Sequence, residues 1–136
     1  MIVHPAVIIH GLTDARDVLA AEAPVTLLSA PGAALFAGCL WWRELVRAAE
    51  AEFPRTPVTD VLDCADASGL AMGAVRSGVC RLVLWPGAPG WQAVRLVAER
   101  EAGFVLPQAP DALDMAARNA RRRLHEWLHD RRPHGA

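Results

Sequence analysis

The chain has 136 residues, of which 53% are apolar, 21% charged and 6% aromatic, with fourteen basic side chains against fifteen acidic ones. This composition suits one compact domain with a full core, and it excludes intrinsic disorder and a global basic field able to grip a phosphate backbone. Every basic residue is Arg and Tyr is absent, which also excludes lysine Schiff-base chemistry and a P-loop of the usual kind.

Along the chain, short β-rich apolar runs alternate with longer helical patterns. Residues 6–9 read as a first strand, ending at His10-Gly11. Thr13 or Asp14 is expected to cap a helix through Ala23 that buries Ala15, Val18 and Leu19. Residues 25–28 read as a second strand, stopped by Ser29-Ala30-Pro31-Gly32. The stretch 23–42 carries no charge over twenty residues. Pro24, Pro31, Gly32 and Gly38 interrupt it, so it reads as strand, turn and buried helix and not as a membrane span. One long helix is expected over 35–52, ended by Phe53-Pro54. Residues 58–62 read as a third strand, leading into Asp63-Cys64-Ala65-Asp66. Ser68 is placed to cap the next helix, with Gly78 as its C′ glycine.

Residues 81–85 form the fourth expected strand, stopped by Pro86-Gly87. A helix follows over 91–101, then a short fifth strand over 104–106. Residues 111–131 are expected to form a basic amphipathic helix packed on the domain. Leu113, Ala116, Ala117, Ala120, Leu124, Trp127 and Leu128 make its buried stripe, while Arg118, Arg121, Arg122, Arg123, Arg131 and Arg132 face water.

Five βα units with continuously apolar strands specify a single α/β domain over 1–136, its parallel sheet buried on both faces and its crossovers right-handed. Two arrangements fit that string. One is a doubly wound, flavodoxin-type sheet; the other is an open half of a (βα)8 barrel, with sequential strands and the helices on one side. In both, ligands bind beyond the carboxyl ends of the strands, which makes His10, Ser29, Gly32, Asp63, Cys64, Asp66 and Gly87 the candidate binding residues. An open half-barrel presents an apolar concave face, so it is expected to dimerise or to cover itself. Cys39, Cys64 and Cys80 have no paired spacing and read as reduced thiols in a core. The first residues lack the basic and apolar segments of a signal peptide, so a cytoplasmic setting is expected.

Several of these segments together resemble the metal-dependent (class II) fructose- and tagatose-bisphosphate aldolases. The residues that carry the likeness are Pro31-Gly32-Ala33, Phe36-Ala37-Gly38, Pro57-Val58, Asp63-Cys64-Ala65 and Arg76-Ser77-Gly78. They follow the family's order of Ser-x-Gly-Ala, aromatic-Ala-Gly, Pro-Val, Asp-His-Gly and a helix ending in Gly. The match covers about residues 6–87, the first four βα units of a barrel. In that family the Asp of Asp-His-Gly transfers a proton and the adjacent His binds the catalytic metal. Asp63 stands at the first position and Cys64 at the second. The family's Asp-Gly-Ser after the fourth strand is here Trp85-Pro86-Gly87, and its other metal ligands lie in the half of the barrel that the match does not reach.

The resemblance therefore implies a scaffold kept and a metal triad lost, with no cofactor expected. The leading expectation is a non-catalytic ligand-binding or protein-interaction domain, a homodimer with a small-molecule ligand at the strand mouths, binding neither nucleic acid nor membrane. The alternative is a small metal-dependent lyase or hydrolase with Asp63 as its catalytic residue, assembled by dimerisation around Asp63, Cys64 and His10. His125-Glu126-Trp127-Leu128-His129 fits the HExxH spacing of zinc hydrolases. A third ligand would have to come from His134, without the glycine turn that aims it, so the pair reads as cationic side chains at a helix C-terminus. Trp41, Trp42, Trp85 and Trp91 read as core or subunit contact before ligand site.

Overall fold

The computed structural model of the chain describes residues 2–130. Six strands alternate with helices: β1 (Ala6–Ile8), β2 (Val25–Leu28), β3 (Val58–Asp63), β4 (Arg81–Val83), β5 (Phe104–Leu106) and β6 (Ala112–Asp114). The helices are α1 (Leu12–Leu19), α2 (Ala33–Phe36), α3 (Cys39–Glu52), α4 (Ser68–Arg76), α5 (Trp91–Arg100) and α6 (Ala120–His129). All neighbouring strands run parallel, in the order β5-β4-β3-β2-β1-β6. No helix among the described residues is long and apolar enough to cross a membrane.

Two apolar clusters show how the layers are arranged. The larger one joins alternate strand residues, Val7, Ile9, Val25, Leu27, Leu62, Leu82, Leu84, Val105 and Leu113, to the buried faces of α1, α3, α4, α5 and α6. The smaller one contains Leu28, Val61 and Val83, backed by Ile2, Ile8, Phe104, Leu106 and Ala112, with no helix residue in it. Those helices thus lie on one face of the sheet and the strands turn their other face toward each other. Sequential order over β1 to β5, with β6 added at the far edge beside β1, and one-sided helices are the half-barrel arrangement; the doubly wound alternative is set aside.

Chain length enforces the curvature. From Leu106 at the end of β5 to Ala112 at the start of β6 there are six residue steps, which reach at most about 22 Å. In a flat sheet the two edge strands would stand five spacings apart, about 24 Å, and the link must also descend the sheet. The sheet therefore rolls until its edges approach. The concave face, expected to be met by a second subunit or to cover itself, is covered by the chain's own strands and by Ile2: Leu28, Val61 and Val83 are buried.

Several expectations need correction. Two are helix caps: Gly11, and not Thr13 or Asp14, precedes α1, and Ala67, and not Ser68, precedes α4, with no side-chain cap bond at either start. The single helix over 35–52 is broken into α2 and α3, because Gly38 adopts φ +87°, outside helical backbone and open only to glycine at low cost. The helix over 111–131 begins only at Ala120, behind Asn119 in the left-handed conformation. Its first residues form β6 instead, pairing Ala6 with Ala112, Val7 with Leu113 and Ile8 with Asp114, so Leu113 is buried as a strand residue. Helix α1 ends at Leu19, four residues early. Gly78 does close α4: at φ +89° its N–H donates to Val75 O, and Val79 N–H reaches back to Ala74 O, the two bonds of a Schellman motif. Arg131, Arg132 and His134 lie outside the described residues.

Candidate functional site

The carboxyl ends of the strands carry two separate polar clusters. Strand alternation aims Val61 into the rolled sheet and Leu62 toward the helices, so Asp63, the last residue of β3, points inward again. Its side chain is only 4% exposed. Asp63 Oδ1 accepts the Gly32 N–H at 3.1 Å and the Ala65 N–H at 2.9 Å. Its own N–H donates to Ser29 Oγ at 2.9 Å, while the Ser29 hydroxyl donates to Ala30 O at 3.2 Å. The β2–α2 and β3–α4 loops are tied together through this one carboxylate.

The tie explains the local backbone. Gly32, at φ +68°, brings its N–H to Asp63, and a Cβ there would sit 3.9 Å from the Ala65 methyl. Ala65 itself holds φ +51°, a conformation that costs a residue with a Cβ roughly 1–2 kcal/mol. The bond from its N–H to Asp63 holds it there.

Cys64 faces the other way. It is fully buried within the helix-side cluster, and its thiol rests 3.9 Å from Leu62 O. Burial pushes the thiol up to about 12, with the nearby Asp63 and Cys39 adding to the rise. A group that stays protonated and points into the core offers no thiolate to an ion beside Asp63. Among the described residues no three His, Cys, Asp or Glu side chains are placed to hold a metal.

His10 belongs to the second cluster, at the ends of β1 and β6. Its Nε2 lies 2.6 Å from Asp114 Oδ1, an oxygen that also accepts the Ala116 N–H at 2.9 Å. Burial raises the Asp114 carboxyl, but the His10 hydrogen bond, the Ala116 N–H and the His10 charge outweigh it, leaving the group below the ordinary carboxylate range. The His10 backbone N–H donates to Asp14 Oδ2, and Arg121 of α6 pairs with Asp14 at 3.1 Å and Asp17 at 2.8 Å. Strand β2 separates His10 from Asp63, about two strand spacings or 10 Å. The expected grouping of Asp63, Cys64 and His10 is not assembled within the chain. The sequence pattern does not mark Asp114 as a partner of His10, because Asp114 falls inside the expected 111–131 helix.

Asp66 and Gly87 are exposed on neighbouring loops, and a Cβ on Gly87 would meet nothing within 4 Å. Trp85 is half exposed, held by its N–H on Ala65 O at 2.8 Å, whereas Trp91 packs on the core and donates Nε1–H to Leu84 O at 2.9 Å. His125 and His129 stack 4.3 Å apart on the exposed side of α6, the His129 Nδ1–H donating to His125 O. Two cavities among the described residues lie elsewhere. One of about 140 Å³ is lined by Arg123, Glu126 and Trp127 of α6 and by Asp130 just after it. The other, about 170 Å³, sits between α3 and the start of β4, where Arg81 binds Asp60 at 2.6 Å. No protein-family model matches this chain, and no curated protein does.

Proposed function

We propose that this chain is a non-catalytic binding and interaction domain on a scaffold related to the first βα units of the class II aldolases. The observation that carries the reading is the use made of Asp63. The residue that transfers a proton in the aldolases here spends Oδ1 on two backbone N–H groups, and the neighbouring hydroxyl of Ser29 is occupied by the same loops. Cys64, at the metal-ligand position, is sealed and protonated, which removes a Lewis acid's anchor from beside Asp63.

Apolar side chains fill the rolled sheet, so recognition falls to the rim of loops and helices around the strand ends. Three free thiols suit a reducing, cytoplasmic setting. Calorimetric titration with zinc, followed by an aldol-cleavage assay on sugar bisphosphates in the presence of zinc, tests the reading. We expect neither stoichiometric tight binding nor turnover above background. Both together would overturn it.

A further inference from the structure

We infer that the rim around α2 is the contact surface of a symmetric homodimer, a second copy of this chain being its occupant. The inference rests on the non-catalytic reading above and names its partner. Helix α2 breaks the usual pattern of a surface helix: Ala33 and Ala34 are buried, while Leu35 and Phe36 stand out, Phe36 72% exposed. Leu40 and Trp41 on the first turn of α3, which follows α2, Leu70 on α4 and Trp85 after β4 are exposed as well. The elements that carry these side chains meet at one rim: a Cβ on Gly32 would lie 3.6 Å from the Leu35 side chain and 3.9 Å from the Ala65 methyl, Ala65 O accepts the Trp85 backbone N–H, and α2 packs on α4.

Two observations select a second copy. The first is size. With aromatic side chains presenting about 150–250 Å² each, six large apolar side chains at these exposures give on the order of 600–700 Å². That exceeds the roughly 300–600 Å² of the largest patch on an ordinary monomer and approaches the ~800 Å² each partner buries in a standard interface. The second is charge. In a two-fold interface the same patch meets itself, so any net charge repels its copy. Residues 23–42, which supply four of the six side chains, carry none, and neither α2 nor the first turn of α3 holds an acidic residue.

Sedimentation velocity on the full chain at micromolar concentration is expected to give twice the chain mass. Phe36→Glu, a change on a side chain already in water, should weaken self-association about thirtyfold or more, the loss typical of a central anchor, with an unchanged far-ultraviolet spectrum. Trp85→Arg should act in the same direction. Val3→Glu, before β1 and so at the opposite end of the strands, should leave the dimer intact. A wild-type monomer overturns the inference, as does a dimer that survives both rim variants or falls apart with Val3→Glu. A monomer that co-sediments with phosphatidylcholine vesicles also overturns it and gives the patch to a lipid surface. None of those results touches the non-catalytic reading, which fails only on zinc-dependent turnover and would then leave the dimer standing.

Discussion

Asp63 does work that could pass for a catalytic residue's placement: a nearly buried carboxylate at a strand end, next to a serine and a glycine. Its chemistry is that of a clamp. Asp63→Ala strands the Gly32 and Ala65 N–H groups and should cost about 2–3 kcal/mol, read by urea unfolding. Asp63→Asn keeps an acceptor at Oδ1 and should recover most of that loss. Equal damage from both substitutions would mean that charge, and not the hydrogen-bond geometry, holds the loops. Gly103 is fixed by a different constraint. A Cβ there would lie 2.0 Å from Cys80 O, a backbone atom that cannot swing aside, because Phe104 N–H bonds that carbonyl to open the β4–β5 ladder. Gly103→Ala should destabilise the fold by about 2–3 kcal/mol through forced overpacking, and a shift in thermal midpoint near zero would show the strands free to move apart. Neither constraint is written locally: Gly103 reads as an ordinary turn glycine until β4 lies against it.

At the level of elements, β6 and α6 close the β1 side of the sheet. Trp127 of α6 donates its Nε1–H to Ala6 O at 2.8 Å, and Arg121 reaches Asp14 and Asp17 of α1. His10 and Asp114 link the tips of β1 and β6. Because the folded Asp114 carboxyl sits below its ordinary value, the native state binds fewer protons there than the unfolded chain. Its contribution is complete above about pH 4 and disappears as pH falls through the depressed folded value. The pair is well exposed to water, so about 1 kcal/mol or less is at stake. The stability difference between wild type and Asp114→Asn should be largest near neutrality and shrink toward zero in acid; a difference constant down to the lowest pH would show that the carboxylate charge plays no part. This contact was illegible beforehand because the residues around Asp114, Ala112 to Ala117, fit a helical stripe as well as a strand. Three strand residues show too little alternation to compete, and pairing with β1 decided the matter.

For the whole molecule, rolling the sheet converts what would be an exposed concave face into a second, helix-free core. Leu28 is one of three side chains fully buried there. Leu28→Ala should cost about 2–5 kcal/mol, the range for a cavity in a close-packed interior, measured by denaturant unfolding. A loss below about 1 kcal/mol would mean that water already reaches this face. By itself, the sequence determined the alternation of strands and helices, the apolar strand cores, the C′ role of Gly78 and the loops at the strand ends. Each of those is fixed by periodicity and turn chemistry within about ten residues. Tertiary structure alone decided the sequential strand order, the sixth strand, the side of the sheet that takes Cys64 and the covering of the concave face. Those depend on which distant segments pair and how far the link from 106 to 112 can reach, and no local pattern encodes either.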